Sequence, residues 1–143
     1  DELLLSDVEI EDLDDGTRHR SESSRVAIRD LLAVQASGPR GDDALRHRTR
    51  AHAIVIRAGS YLIAGHLHVH PGADPLESLR RRPAMVPLTD AWLEYWPDGS
   101  PRRHGVGTII VNRGAADTID LVTDDDLVDG SLRPLSLPGP ASA

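Results

Sequence analysis

Three histidines alternate with aliphatic residues in His66-Leu67-His68-Val69-His70. In an extended chain all three imidazoles fall on one face, roughly 6.5–7 Å apart for each i,i+2 pair. Adjacent pairs at this spacing could chelate a divalent metal, with Asp74 and Glu77 close in sequence. Three such ligands and an open position would make a catalytic zinc or iron site. Against this stands a plainer reading. One face of the strand is wet and tolerates histidine, while Leu67 and Val69 point to a core.

The second constellation is basic: Arg80, Arg81 and Arg82, then Arg102, Arg103 and His104. If the two groups meet at one rim they form a site for an anion or an acidic partner, since arginine pairs well with phosphates and carboxylates. Trp92, Tyr95 and Trp96 would add stacking platforms for single-stranded nucleic acid. The competing reading gives these arginines to a helix end and a turn, and the aromatics to the core. A net charge of -7 also opposes non-specific binding to nucleic acid. No residue is assigned a catalytic role. The chain has no cysteine, and Ser60, Ser78 and Ser100 lie in no nucleophile turn. Gly105-Val106-Gly107 lacks the helix that a phosphate loop requires. Asp124-Asp125-Asp126 reads as a solvated acidic run.

The elements that must position these groups follow from pattern. Residues 52–57 and 61–70 read as two strands joined by Ala58-Gly59-Ser60, the strongest hairpin signal in the chain. Asp74-Pro75-Leu76-Glu77 starts a helix with a capping side chain, a proline at the first position and an acid at the third. Arg80-Arg81-Arg82 suits its negative end, and Pro83 stops it. Met85-Val86-Pro87-Leu88 is a short extended piece whose proline requires an edge or a bend. Strands follow over 91–96, 105–111 and 118–122, joined by turns at 97–100 and 112–114. Upstream, residues 24–36 predict a helix capped by Ser24, with Ile28, Leu31 and Leu32 at helical spacing. Residues 37–49 read as a polar loop and 16–23 as a linker. Residues 1–16 fit neither period, so an edge strand, a short helix and a segment that orders on a partner all remain open.

The expected organisation is an acidic flexible segment over 1–23, a single β-rich domain over 24–122, and an acidic then proline-rich flexible tail over 123–143. The fold class is mainly β (α+β): a small, partly open five-stranded barrel or strongly bent antiparallel sheet, with an N-terminal helix and one short inserted helix. Residues 1–16 carry eight acids and no base, residues 17–113 fifteen arginines against nine acids, and residues 114–143 one arginine against six acids. A basic body between acidic ends is the result, and such ends interact weakly with basic surfaces. No apolar run approaches the ~20 residues of a membrane span. The absence of cysteine fits a reducing compartment, and the acidic start is unlike a basic secretory leader, so the expected location is cytoplasmic. The absent initiator Met indicates trimming or processing.

Two resemblances attach to these residues. His68-Val69-His70 with Pro97-Asp98-Gly99 resembles part of the metal motif of cupins, though the glutamate after the histidine pair is missing. The stretch from Arg50 to Val122 resembles a bacterial family of small domains of unknown function, through residues 61–67, the helix at 74–82, Met85–Ala91, and the strands at 109–112 and 118–122. That family is similar in turn to the Sm-like small barrel, in which a bent sheet pairs edge to edge into rings. The resemblance implies a fold and no activity. A sheet of short strands has edges that must be paired, covered or charged. The leading expectation is therefore a non-enzymatic binding or assembly module without a cofactor, self-associating through a sheet edge or meeting a protein partner. A metal-dependent, cupin-like enzyme and a nucleic-acid or polyanion binder are the alternatives.

Overall fold

The computed structural model describes residues 1–35, 49–96 and 102–129. The expected turn at 97–100, most of the 37–49 loop and the proline-rich end lie outside the described residues. Strands β1 (Glu2–Glu11) and β2 (Arg18–Ala27) form an antiparallel two-stranded ribbon. The other six strands are β3 (Ala33–Gln35), β4 (Arg50–Ala58), β5 (Tyr61–Val69), β6 (Met85–Tyr95), β7 (Arg102–Asn112) and β8 (Thr118–Leu121). They form one antiparallel sheet in the order β3-β7-β6-β5-β4-β8. Helix α1 (Pro75–Arg81) lies between β5 and β6, and α2 (Asp124–Asp129) follows β8. The class is mainly β as expected. The sheet is bent and open, with β3 and β8 at its edges, and does not close into a barrel.

The bend has a local cause. Pairing slips by one residue where β6 meets β5 between Ala64 and His66, and again where it meets β7 around Ala91. Asp90 (φ 47°) and Gly107 (φ 65°) take the left-handed backbone conformation at these slips. An extra residue in one strand of a pair kinks that strand and increases its twist. Gly65 sits opposite the same region, and a Cβ there would come within 3.0 Å of the Ala91 Cβ and 3.1 Å of the Thr89 carbonyl. The strands close over Gly65 because it has no side chain. Pairing of β5 with β6 stops at His66–Thr89, so Pro87 lies where β6 has only β7 as a partner, and its missing N–H leaves no gap in the ladder.

One face of the sheet carries the main core. Ile54, Ile56, Ile63, Leu67, Leu88 and Val111 are essentially inaccessible there, and Leu79 of α1 covers one end. α1 is built as its sequence predicts: the Asp74 carboxylate accepts from the Glu77 amide at 2.9 Å and Pro75 opens the helix. Its last carbonyls are closed from outside the helix, by Arg113 Nη1 donating to Leu79 O and Arg82 O. A smaller apolar cluster of Ala53, Val55, Leu62 and Ala64 lies on the opposite face under Leu127 of α2.

The N-terminal part departs from expectation. The helix expected over 24–36 does not form in its described part, 24–35, where only one 3-10 turn is helical. Within 24–35, Ser24–Ala27 end β2, residues 28–30 make one 3-10 turn, and Ala33–Gln35 pair with β7. The expected linker 16–23 supplies most of β2. Helical spacing was outweighed by pairing: β-branched Val26 lies opposite Leu3, and Val34 opposite Ile110, in registers that satisfy the backbone as a helix would. Asn112 fixes the crossing, its Nδ2 donating to both Ile28 O and Leu31 O at 2.9 Å. Residues 123–129 begin the expected tail, and here Thr123 caps α2 through a hydrogen bond with the Asp126 amide at 3.2 Å. Met85–Leu88 and the strand at 91–96 form one continuous strand, β6.

Candidate functional site

Alternation along β5 sets His66 and His68 opposite Leu67 and Val69 as expected, but their face is half-covered and carries an apolar cluster where a wet face was expected. Leu67 and Val69 are buried in the main core, and His66 and His68 lie half-buried on the opposite face. The three imidazoles do not converge. His66 Nε2 is 2.9 Å from Asp124 Oδ1, so it ties β5 to the first turn of α2. His68 has both ring nitrogens beside hydroxyls, Nε2 at 2.7 Å from Thr89 Oγ1 and Nδ1 at 3.3 Å from Thr49 Oγ1. Its carbonyl accepts from Arg82. His70 is exposed beyond the strand end. Among the described residues no three His, Cys, Asp or Glu side chains are grouped to hold a metal. What His66 and His68 do here is tie β5 to α2, to Thr49 and to β6.

The arginines divide in the same way. β6 and β7 pair from Met85–Asn112 to Tyr95–Arg102, ten residues along the strand. At roughly 3.4 Å per residue that is a contour of about 30 Å along β6. Arg80 and Arg81 both pair with Glu77, at 3.6 and 3.4 Å, and Arg82 turns inward to the His68 carbonyl. The two arginine groups therefore lie at opposite ends of the β6–β7 pair.

Arg103 has a partner that its sequence position gave little sign of. Glu94, directly opposite on β6, is fully buried, and Arg103 Nη2 lies 3.5 Å from its Oε2. The Arg103 guanidinium also stacks 4.1 Å over the Trp92 ring. An ionised carboxylate is brought out of water only with a charge beside it. The i,i+2 spacing of Trp92 and Glu94 put both on one strand face, but the apolar surroundings of Leu62 and Ala64 were not predictable without the register.

A third group joins the ribbon to the sheet. Tyr61 and Tyr95 stack with centroids 5.5 Å apart and planes 8° from parallel, and the His104 ring lies 5.6 Å from Tyr95. The Tyr95 hydroxyl accepts from Arg18 of β2 at 3.4 Å and is 3.3 Å from His104 Nε2. Burial pushes the Tyr61 phenol above its ordinary value, and the Glu11, Tyr95 and Asp12 charges push it the same way. Glu11, with Tyr95 next, raises Arg18. An open cavity of about 360 Å³ lies beside this group, between the ribbon turn at Leu13-Asp14, residues 29–32 and the β4–β5 turn.

Two ion pairs cross the ribbon beside its backbone ladder. Arg18 lies 3.6 Å from Glu9 and 3.7 Å from Glu11 on β1. Asp7 has a left-handed backbone (φ 50°), and the half-covered residues change from Leu3 and Leu5 to Val8 and Ile10 across it. Leu4 and Leu13, two of the three exposed large hydrophobics among the described residues, belong to this hairpin; the third, Leu121, ends β8. No helix among the described residues is long and apolar enough to cross a membrane. No protein-family model, curated protein or solved structure significantly matches this chain.

Proposed function

We propose that this chain is a non-enzymatic assembly module that associates with copies of itself through a sheet edge. The observation that supports it most directly is the N-terminal ribbon. Two strands of ten residues each pair only with one another among the described residues. A lone two-stranded ribbon is marginal in water and gains stability when further strands join it. Each long edge presents backbone donors and acceptors that another strand can use. The three exposed large hydrophobics among the described residues, Leu4, Leu13 and Leu121, all lie in the ribbon or on the β8 edge. Several charged groups of the body are engaged internally, His66 with Asp124, Glu94 with Arg103 and Glu77 with its two arginines.

Light scattering on the purified chain across a dilution series tests this reading. The expected mass is a whole multiple of 15.5 kDa at high concentration, falling toward a single chain on dilution. A mass of one chain at the highest attainable concentration would refute it.

A further inference from the structure

The ribbon's two edges differ in charge, and the difference selects how copies meet. We infer that two copies pair through β2, antiparallel about a two-fold axis at Ser21, to give a continuous four-stranded sheet in the order β1-β2-β2-β1. The inference rests on the assembly reading above and adds to it the strand, the register and the partner, a second copy of this chain.

The argument starts at β1. Its charged residues are Glu2, Asp7, Glu9 and Glu11, all acids. β1 has no base, so no antiparallel register with its own copy forms an opposite-charge pair. An axis at Asp7, Val8, Glu9 or Ile10 sets β1 acids directly opposite, and one at Leu4, Leu5 or Ser6 sets Asp1 opposite Asp7, Glu9 or Glu11. Like charges directly opposite are destabilising. β2 is different. It carries Arg18, Arg20 and Arg25 together with Glu22, and most of its residues are exposed. Glu22 and Arg25 make no ion pair among the described residues, and the ion pairs of Arg18 run to its own β1.

Side-chain alternation restricts the registers. In a two-fold antiparallel pair a residue and its partner must point to the same face, so the axis passes through a residue position. An axis at Glu22 sets Glu22 against Glu22, and one at Arg20 sets Arg20 against Arg20. An axis at Ser23 or Ser24 forms no opposite-charge pair. An axis at Ser21 places Arg20 of each copy opposite Glu22 of the other, twice, and sets serines against Arg18 and His19 with no like charges facing. Directly opposed pairs of opposite charge favour one register over its neighbours. A two-fold contact of this kind is self-complementary and closes at two copies. The outer edges of the resulting sheet are then the acidic β1 strands, which discourage further addition.

The chain has no cysteine, so single thiols can report the register. Across the proposed axis the two Ser21 Cα atoms lie roughly 4.5–5.5 Å apart, within reach of a disulfide. Ser21→Cys, oxidised with diamide, is expected to give a covalent dimer, and Ser6→Cys on β1 to remain a single chain. In parallel, Arg20→Glu is expected to weaken dimerisation roughly tenfold, and Arg20→Glu with Glu22→Arg to restore it. If the native chain dimerises by light scattering but Ser21→Cys does not cross-link, or Ser6→Cys cross-links equally well, the β2 pairing is wrong while the assembly reading stands. If the native chain is a single chain throughout, both fall.

Discussion

Tyr61 shows how one buried side chain records its surroundings. Burial, then the charges of Glu11, Tyr95 and Asp12, hold its phenol above the usual 10.0, against a smaller opposing effect from Arg18. The folded state thus retains a proton that the unfolded chain releases at lower pH. The associated stability is complete below pH ~10 and drains away as pH rises from there through the raised folded value. Tyr61→Phe is expected to change stability by less than about 1 kcal/mol at neutral pH, and to flatten the alkaline decline seen in chemical denaturation. An unchanged decline would place its origin elsewhere. The histidines mark what could be read residue by residue. Which face each occupies followed from alternation alone. The partners did not: Asp124 is 58 residues from His66 in the chain, and only the placement of α2 brings them together.

Among the elements, β4, β5 and α1 were legible because each carries its own signals, a glycine turn in one case and a complete cap in the other. The bend in β6 was not, because it depends on contacts across three strands. Gly65 is the position where this can be checked. A methyl group there meets Ala91 Cβ, Leu88 Cβ and the Thr89 carbonyl at 3.0–3.1 Å, and the last of these is backbone. Gly65→Ala is expected to lower stability by about 1–3 kcal/mol, the range for overpacking a core. Gly105→Ala, where a Cβ meets nothing within 4 Å, should have a much smaller effect. Equal losses measured by urea denaturation would show that close approach over Gly65 does not shape the sheet. The ribbon escaped the sequence for a different reason. Asp7 breaks its period, so neither strand nor helix spacing is visible along β1, and the polar run of β2 resembles a linker until its partner is known.

At the scale of the whole molecule, stability is distributed unevenly. Ile54, Leu62, Ile63 and Ala64 are fully inaccessible at the centre of the sheet, whereas no residue of β1 or β2 is fully buried. Amide exchange followed by NMR in dilute protein should therefore show the ribbon opening well before β4, β5 and β6, with free energies below the global value. Addition of a second copy at higher concentration should raise protection in β2 more than in the central strands. Uniform exchange across ribbon and sheet would show a single cooperative unit instead.

The order of strands has a consequence for synthesis. β4 lies next to β8, and Ile54 pairs with Leu121, while β3 pairs with residues of β7 that follow it by more than seventy positions. Neither flank of the sheet can be completed until nearly all of the described chain has left the ribosome. Until then the flank of β4 that β8 will cover, in one of the most apolar strands in the molecule, stands open to other nascent chains. The emerging polypeptide should accordingly depend on a holding chaperone up to about residue 121 and lose that dependence once β8 is released.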